Sequence, residues 1–364
     1  MNTAARYASE AIGQRRALLA RALVTAEFER HPELAQLYGS AGRANWLHDA
    51  QTHLSYLAEA LAFDNRALYI DYIAWSKVLL VRRGLPAAEL AAQLASLAVV
   101  LRERLPAQAG TVAAQFVDAA RQAMPAMPHD LPSDLDEETP MALLAHQYAM
   151  ALLRGERDVA SRLITEAVAR GTSVGDIYLR VFQPAQHEVG RLWQRNDISA
   201  AREHYCTAAT QVEMSRLYRH LRAGEKNGRT LVATCVGSDP HVLGGRMVAD
   251  FFEMAGWNTF YLGACASPAA VIQTLLERKA DMLAVSATMP CHLSEVRRLL
   301  EAVRERPDCR RTPVLVGGRA FAADPDLWRK VGADGTGHDA REAVLVAERI
   351  MAARHELCAA EVSQ

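Results

Sequence analysis

The sequence has no two cysteines at C-x-x-C spacing: Cys206, Cys235, Cys265, Cys291, Cys309 and Cys358 are scattered singly through 364 residues. Neither a zinc knuckle nor a disulfide framework can be read from them. Nor is there an excess of one charge. Forty-one Lys and Arg face 42 Asp and Glu, a formal charge of −1, so the chain as a whole has no electrostatic pull on nucleic acid or anionic lipid. Long apolar runs are missing too: Ala91–Leu101 is interrupted by Gln93 and Ser96 and falls short of the ~20 residues that cross a bilayer. The first residues, MNTAARYASEAIGQRR, contain no apolar core before a small-residue cleavage site. These absences speak against a membrane protein, a secreted protein and a nucleic-acid reader, and make the cytoplasm the expected location.

What is present suits a multidomain globular chain, with 50% hydrophobic and 23% charged residues and more length than one core usually serves. Residues 1–123 read as about five helices. Apolar residues recur three and four apart, as at Leu47, Leu54, Leu57 and Leu61, and Gly84-Leu85-Pro86 separates two of the segments. Residues 124–140, MPAMPHDLPSDLDEETP, combine prolines with acidic residues and read as a linker too polar to bury anything. Residues 141–224 divide into four helices at Gly155, at Gly171-Thr172-Ser173 and around Asn196-Asp197-Ile198, enough for a four-helix bundle.

After Gly228 the period changes. Short apolar runs at Arg229–Gly237, Asn258–Gly263, Met282–Ala287 and Pro313–Gly318 alternate with amphipathic stretches over residues 228–355, the pattern of a Rossmann-like, doubly wound parallel sheet. Ligands of such sheets bind outside the carboxyl ends of the strands. There the first run leads into Asp239-Pro240-His241-Val242-Leu243-Gly244, the third ends in Ser286-Ala287-Thr288 and the fourth in Gly317-Gly318. An Asp two residues before a His can hold one ring nitrogen while the other faces a metal. Glycines at the neighbouring ends let a bulky group pass close to the backbone.

Asp-x-His-x-x-Gly, Ser-x-Thr and Gly-Gly in this order resemble the cobalamin-binding domain that takes its cofactor base-off and His-on. The resemblance implies that His241 is the lower axial ligand of cobalt and Asp239 its partner. It implies further that Ser286 and Thr288 meet the nucleotide loop, and that Gly244, Gly317 and Gly318 make room for the dimethylbenzimidazole tail. Upstream, Trp193 is followed nine residues later by Glu203-His204. This spacing resembles the cap bundle of cobalamin photoreceptors of the CarH type, where these residues cover the upper face of the corrin near an adenosyl group. Those receptors carry a His directly after the Trp, whereas this chain has Gln194, so His187, His204 or water would have to serve as the upper ligand after photolysis.

The run HDAQTHLSYLAEAL followed by Ile70-DYIAWSKVLLVRRGLP resembles the N-terminal globin-like domain of photocobilins, which pair cobalamin with a linear tetrapyrrole. That implies biliverdin among Trp46, Tyr56, Tyr72 and Trp75, with His53 or Tyr56 near the pyrrole nitrogens and Arg82 or Arg83 at the propionates. No cysteine lies in this block, so attachment would be non-covalent. A plain docking bundle, or haem on His48 or His53, are the alternatives. The expected fold is therefore multidomain α and α/β. The expected function is that of a non-enzymatic light sensor using adenosylcobalamin and biliverdin, acting as a homodimer on a separate effector without binding nucleic acid. The alternatives are a corrinoid component of a methyltransferase or radical enzyme, and a light-independent cobalamin-binding antirepressor.

Overall fold

The computed structural model describes residues 3–31, 33–133, 135, 139–221, 224–237 and 239–362. The chain divides into two compact units, Met1–Leu131 and Pro132–Gln364.

The first unit is helical: α1 (Thr3–Arg30), α2 (Glu33–Ala62), α3 (Arg66–Arg82), α4 (Ala87–Arg104) and α5 (Ala107–Ala123). Asn65 caps α3 by accepting from the Ala67 N–H, and Gly84, at φ +92, provides the left-handed turn before Pro86 that ends it. Leu54, Leu57, Leu61, Leu68 and Ile73 are fully buried, as the apolar spacing requires. A lysine is buried with them. Lys77 donates to the carbonyls of Met124 (3.0 Å) and Met127 (2.8 Å), and burial lowers its pKa. These bonds fix the turn after α5 to α3.

The second unit begins with four helical stretches. These are α6 (Pro140–Leu153), α7 (Arg157–Ala169), a run made of α8 (Val174–Ile177), the π-helical turn Tyr178–Phe182 and α9 (Gln183–Gln194), and α10 (Ala200–Leu217). Thr139, Ser173 and Ser199 cap three of them, each accepting a backbone N–H that the first turn leaves unpaired. The sheet follows: β1 (Thr230–Cys235), α11 (Leu243–Met254), β2 (Asn258–Tyr261), α12 (Pro268–Glu277), β3 (Met282–Ser286), α13 (Leu293–Glu305), β4 (Val314–Gly317), α14 (Leu327–Lys330), β5 (Gly335–Gly337) and α15 (Ala340–Val362). All strands are parallel, in the order β2-β1-β3-β4-β5. Leu231, Ala233, Met282, Ala284 and Leu315 face α11 and α15 with Phe252, Trp257 and Ala347. Both faces of the sheet are covered, which explains the nearly continuous apolar runs.

A helical front region, a helical cap and a parallel Rossmann-like sheet are as the sequence pattern implies, with two differences. The fifth strand, Gly-Thr-Gly, has only Thr336 to favour a strand, between two glycines; its place comes from pairing with β4. The stretch 124–140 is no unburied spacer. Met124 and Met127 are buried in the first unit and Leu135 in the bundle core, because proline removes a donor but leaves neighbouring side chains able to bury. Asp134 and residues 136–138 of that stretch lie outside the described residues, as does the side chain of Cys358. The other five cysteines are free thiols, and no described helix is long and apolar enough to cross a membrane.

Candidate functional site

The order of the strands reverses between β1 and β3, which opens a crevice at their carboxyl ends. Asp239 lies in the loop after β1 and is 1% exposed. Its Oδ1 accepts from the His241 ring Nδ1 (2.6 Å) and the His241 backbone N–H (3.1 Å). Its Oδ2 accepts from the backbone N–H groups of Thr288 (2.8 Å) and Met289 (3.4 Å) after β3. One carboxylate thus ties the two loops across the crevice. Burial acts to raise its pKa, but the bonds from His241 and the Thr288 N–H outweigh burial and hold the carboxyl below its usual range. The same bond raises the His241 imidazole, against burial and with help from the charges of Asp239 and Glu203.

With Nδ1 committed to Asp239, the half-exposed His241 ring keeps Nε2 for a ligand, and no bond to that nitrogen occurs among the described residues. A neutral imidazole whose other N–H is held by a carboxylate is a good donor to a transition metal. The donor chemistry therefore fits cobalt at this position.

Two residues that the motif reading passed over fix the backbone carrying this ring. Tyr261, at the end of β2, donates from its hydroxyl to the Val242 carbonyl (2.7 Å). Cys235, at the end of β1, reaches the Tyr261 hydroxyl (3.6 Å) and the His241 carbonyl (3.8 Å). Gly245 makes this contact fit, since an added Cβ would fall 2.7 Å from the Cys235 sulfur. The only trace of this pin in the sequence is a second glycine after Gly244.

The other residues singled out at the strand ends divide. Ser286 stands beside Cys235 in the register of β1 and β3, and Thr288 contributes its backbone N–H rather than its hydroxyl to Asp239. At Gly244 nothing lies within 4 Å of where a Cβ would stand. Gly317 would bring a Cβ 3.3 Å from the Gly337 carbonyl. Gly318 departs from its expected role: at φ +96 its Cβ would meet the Ala287 carbonyl at 2.4 Å. The space it spares is taken by the protein's own backbone.

In the cap, Glu203 stands in the first turn of α10, half-buried, where its charge is felt by His241. Thr207 donates to it at 3.1 Å and belongs to a chain of hydrogen bonds through Gln186 and Thr210 to the buried Tyr148 hydroxyl. Trp193 is half-buried at the end of α9. His204 is 79% exposed and pairs with Glu203 at 3.4 Å. Gln194 is buried, whereas His187 is exposed. The cap rests on α11 through Met247 and Phe251 and through the buried bond from the Tyr178 hydroxyl to Asp250 (2.8 Å).

In the first unit, Tyr72 gathers the residues singled out there. Tyr56 stacks on it at 3.8 Å, His53 lies edge-on at 5.3 Å and Trp75 is stacked at 6.3 Å. Trp46 lies edge-on to Phe28 instead. Arg82 is paired with Asp130 (2.8 Å), Arg83 is exposed, and His48 is exposed. Burial lowers the His53 pKa to about 4, so its ring is neutral near pH 7.

Residues 144–218 and 229–345 each match a family described as a B12 binding domain. A corrinoid protein of Desulfitobacterium hafniense is 23% identical over 214 residues, 57% of this chain and 97% of that one. Dimethylamine corrinoid protein 3 of Methanosarcina acetivorans is 26% identical over 210 residues, again 57% and 97%. The solved monomethylamine corrinoid protein of Methanosarcina barkeri superposes with a TM-score of 0.51 at 22% identity, over 57% of this chain and 98% of that one, a likeness of fold. The expectation of a non-enzymatic light receptor is corrected by these matches, since the three proteins are named corrinoid proteins, two of them for methylamines, and none a photoreceptor. Its helical cap and parallel-sheet domain are both B12-binding segments, and the chain is a cobalamin-binding protein.

Proposed function

We propose that the chain is the corrinoid component of a methyl-transfer system, holding cobalamin base-off with His241 Nε2 below the cobalt and serving a separate partner methyltransferase. The observation that carries this reading is the buried Asp239 carboxylate, which keeps the imidazole proton on Nδ1 and anchors the ring to the loop after β3. When bound, the corrinoid supplies a cobalt centre that takes up and releases a methyl group. The chain's own residues do the rest. Asp239 orients the ring and sustains its donor strength. Cys235 and Tyr261 hold the backbone beneath it, while Ser286 and Gly317 at the ends of β3 and β4, Thr288 just beyond β3 and Gly244 in the first turn of α11 would border the nucleotide tail. Glu203, whose charge reaches His241, and Trp193 would cover the upper side from the cap. The names of the methylamine corrinoid relatives support methyl transfer as the class of chemistry.

The test is to load the full chain with hydroxocobalamin, reduce it with titanous citrate, offer methyl iodide and then a thiol acceptor. Methyl uptake and release on the protein, with binding at least ~10-fold weaker in His241→Ala, is the expected result. A bound cofactor that accepts no methyl group contradicts the reading. So does an adenosylcobalamin-loaded protein whose association state changes on illumination.

A separate observation favours a second ligand in the first unit. Among the described residues, His53 Nδ1 and the Tyr69 hydroxyl are buried without a hydrogen-bond partner, and both rings border Tyr72. Buried polar groups are seldom left unpaired. In the globin-like reading of this unit, these groups would meet the polar edge of biliverdin, with Tyr56 and Trp75 against its faces. A red absorption band on adding biliverdin, lost in Tyr72→Ala, is expected. No band would dismiss the bilin, and a Soret band with haem alone would assign the site to haem.

A further inference from the structure

The turn after β4 carries an arginine that the site built on His241 leaves unused. β4 lies beside β3 in the sheet and ends at Gly317, so Gly318 and Arg319 follow at the carboxyl edge. Gly318, at φ +96, packs so closely on Ala287 that a Cβ would stand 2.4 Å from its carbonyl. That carbonyl also accepts from the Ala320 N–H (3.2 Å), and the Ala287 N–H donates to the Gly317 carbonyl (2.9 Å). Arg319–Phe321 form one 3-10 turn in which Ala320 and Phe321 are buried and Arg319 is exposed. The backbone beneath Arg319 is therefore fixed on both sides. Its anchor, Ala287, directly precedes Thr288, whose N–H holds Asp239.

The side chain, in contrast, is uncommitted. Among the described residues the Arg319 guanidinium makes no hydrogen bond and no ion pair. The acidic groups that follow it are engaged elsewhere, Asp324 by Lys330 (2.7 Å) and Asp326 by Arg329. In the crevice, the Asp239 carboxylate already accepts from four N–H groups. An arginine on a rigid turn with no counter-ion is prepared for an external anion, and its planar fork matches phosphate. The amide side chains of a corrinoid are neutral, whereas the phosphodiester of its nucleotide tail is an anion. The seating proposed above brings that tail along Ser286, Thr288 and Gly317, at the edge where Arg319 stands.

We propose that Arg319 binds the phosphate of the nucleotide tail and makes the site select corrinoids that carry this phosphate over those that lack it. The assignment rests on the cobalamin reading above and adds to it the group of the cofactor that is recognised by charge. Arg319 takes no part in the chemistry at cobalt.

Titration of the full chain by absorbance with hydroxocobalamin, cobinamide phosphate and cobinamide tests this, the last two differing by the phosphate alone. Arg319→Gln should bind the first two at least ~3-fold more weakly than the wild type does, and cobinamide equally well. Arg319→Lys keeps the charge without the fork and should lose less. Raising salt from ~0.05 M to ~0.5 M should weaken cobinamide phosphate more than cobinamide on the wild type, and Arg319→Gln should abolish that difference. Urea denaturation of the cofactor-free variants, expected to match the wild type because Arg319 is exposed, checks the fold. An equal loss for all three corrinoids, or a loss for none, overturns the assignment. Loss for none, joined to slower methyl exchange with a partner methyltransferase, would place Arg319 on a docking surface instead. Failure of all three to bind the wild type would overturn the cobalamin reading and this assignment with it; failure of the assignment alone leaves wild-type binding intact.

Discussion

Replacing Asp239 by Asn keeps the size of the side chain and removes one acceptor oxygen, at a position where the native carboxylate accepts from four N–H groups. Asn has two ways to sit. With its oxygen toward Thr288 and Met289, its NH2 faces the His241 ring, which must then accept at Nδ1 and carry its proton on Nε2, the atom meant for cobalt. With its oxygen toward His241, the NH2 meets the Thr288 and Met289 N–H groups, donor against donor in a site 1% exposed. Either arrangement loses a charge-assisted bond worth ~1.5–3 kcal/mol. The first also misplaces the proton, and changing the partner of a metal-bound His typically costs ~10–100-fold in affinity. Cobalamin titration followed by absorbance should show that loss for Asp239→Asn, and urea denaturation of the cofactor-free protein should show a stability lower by about 2 kcal/mol. The smallest loss expected is about tenfold, so an affinity within about threefold of the wild type would refute the role given to the carboxylate.

Three further outcomes follow from local geometry. His53 is held near pKa 4 by burial, against 6.5 for a free imidazole; because its folded pKa is depressed, its stability is fully present above about pH 6.5 and is lost as pH falls toward 4, by about 3 kcal/mol in all. Denaturation of the first unit as a function of pH should show this slope, and His53→Gln should flatten it. Tyr178→Phe removes the bond to the buried Asp250 carboxylate, leaving Arg246 at 3.9 Å; the second unit should lose ~1–3 kcal/mol to urea. Gly318→Ala forces a Cβ to 2.4 Å from the Ala287 carbonyl at φ +96, and denaturation should report a loss of at least ~2 kcal/mol with weakened cobalamin binding.

The alternation of strand and helix was legible because the central strands β1, β3 and β4, covered on both faces, are nearly continuous apolar runs. Asp239 and His241 were legible because they are two residues apart and their bond is local. The rest depended on contacts between segments distant in sequence. Tyr261 is 19 residues from the Val242 carbonyl it holds, and Glu295 reaches Gly237 from α13, the third helix after it. Gly318 was read as room for a ligand, although the neighbouring backbone claims that space. Leu135 was hidden by the acidic and proline-rich stretch around it. In the cap, Glu203 and His204 looked equivalent as a pair. Adjacent helical positions point about 100° apart, and only Glu203 is felt by His241.

The most direct test of the central claim is electron paramagnetic resonance of the cob(II)alamin form, bound to protein in which histidine alone carries 15N while the cofactor is unlabelled. Coordination by His241 predicts that each cobalt line is split into a doublet by the protein nitrogen, and that His241→Ala loses the doublet. Triplet splitting from the cofactor's own base, unchanged in His241→Ala, would contradict it.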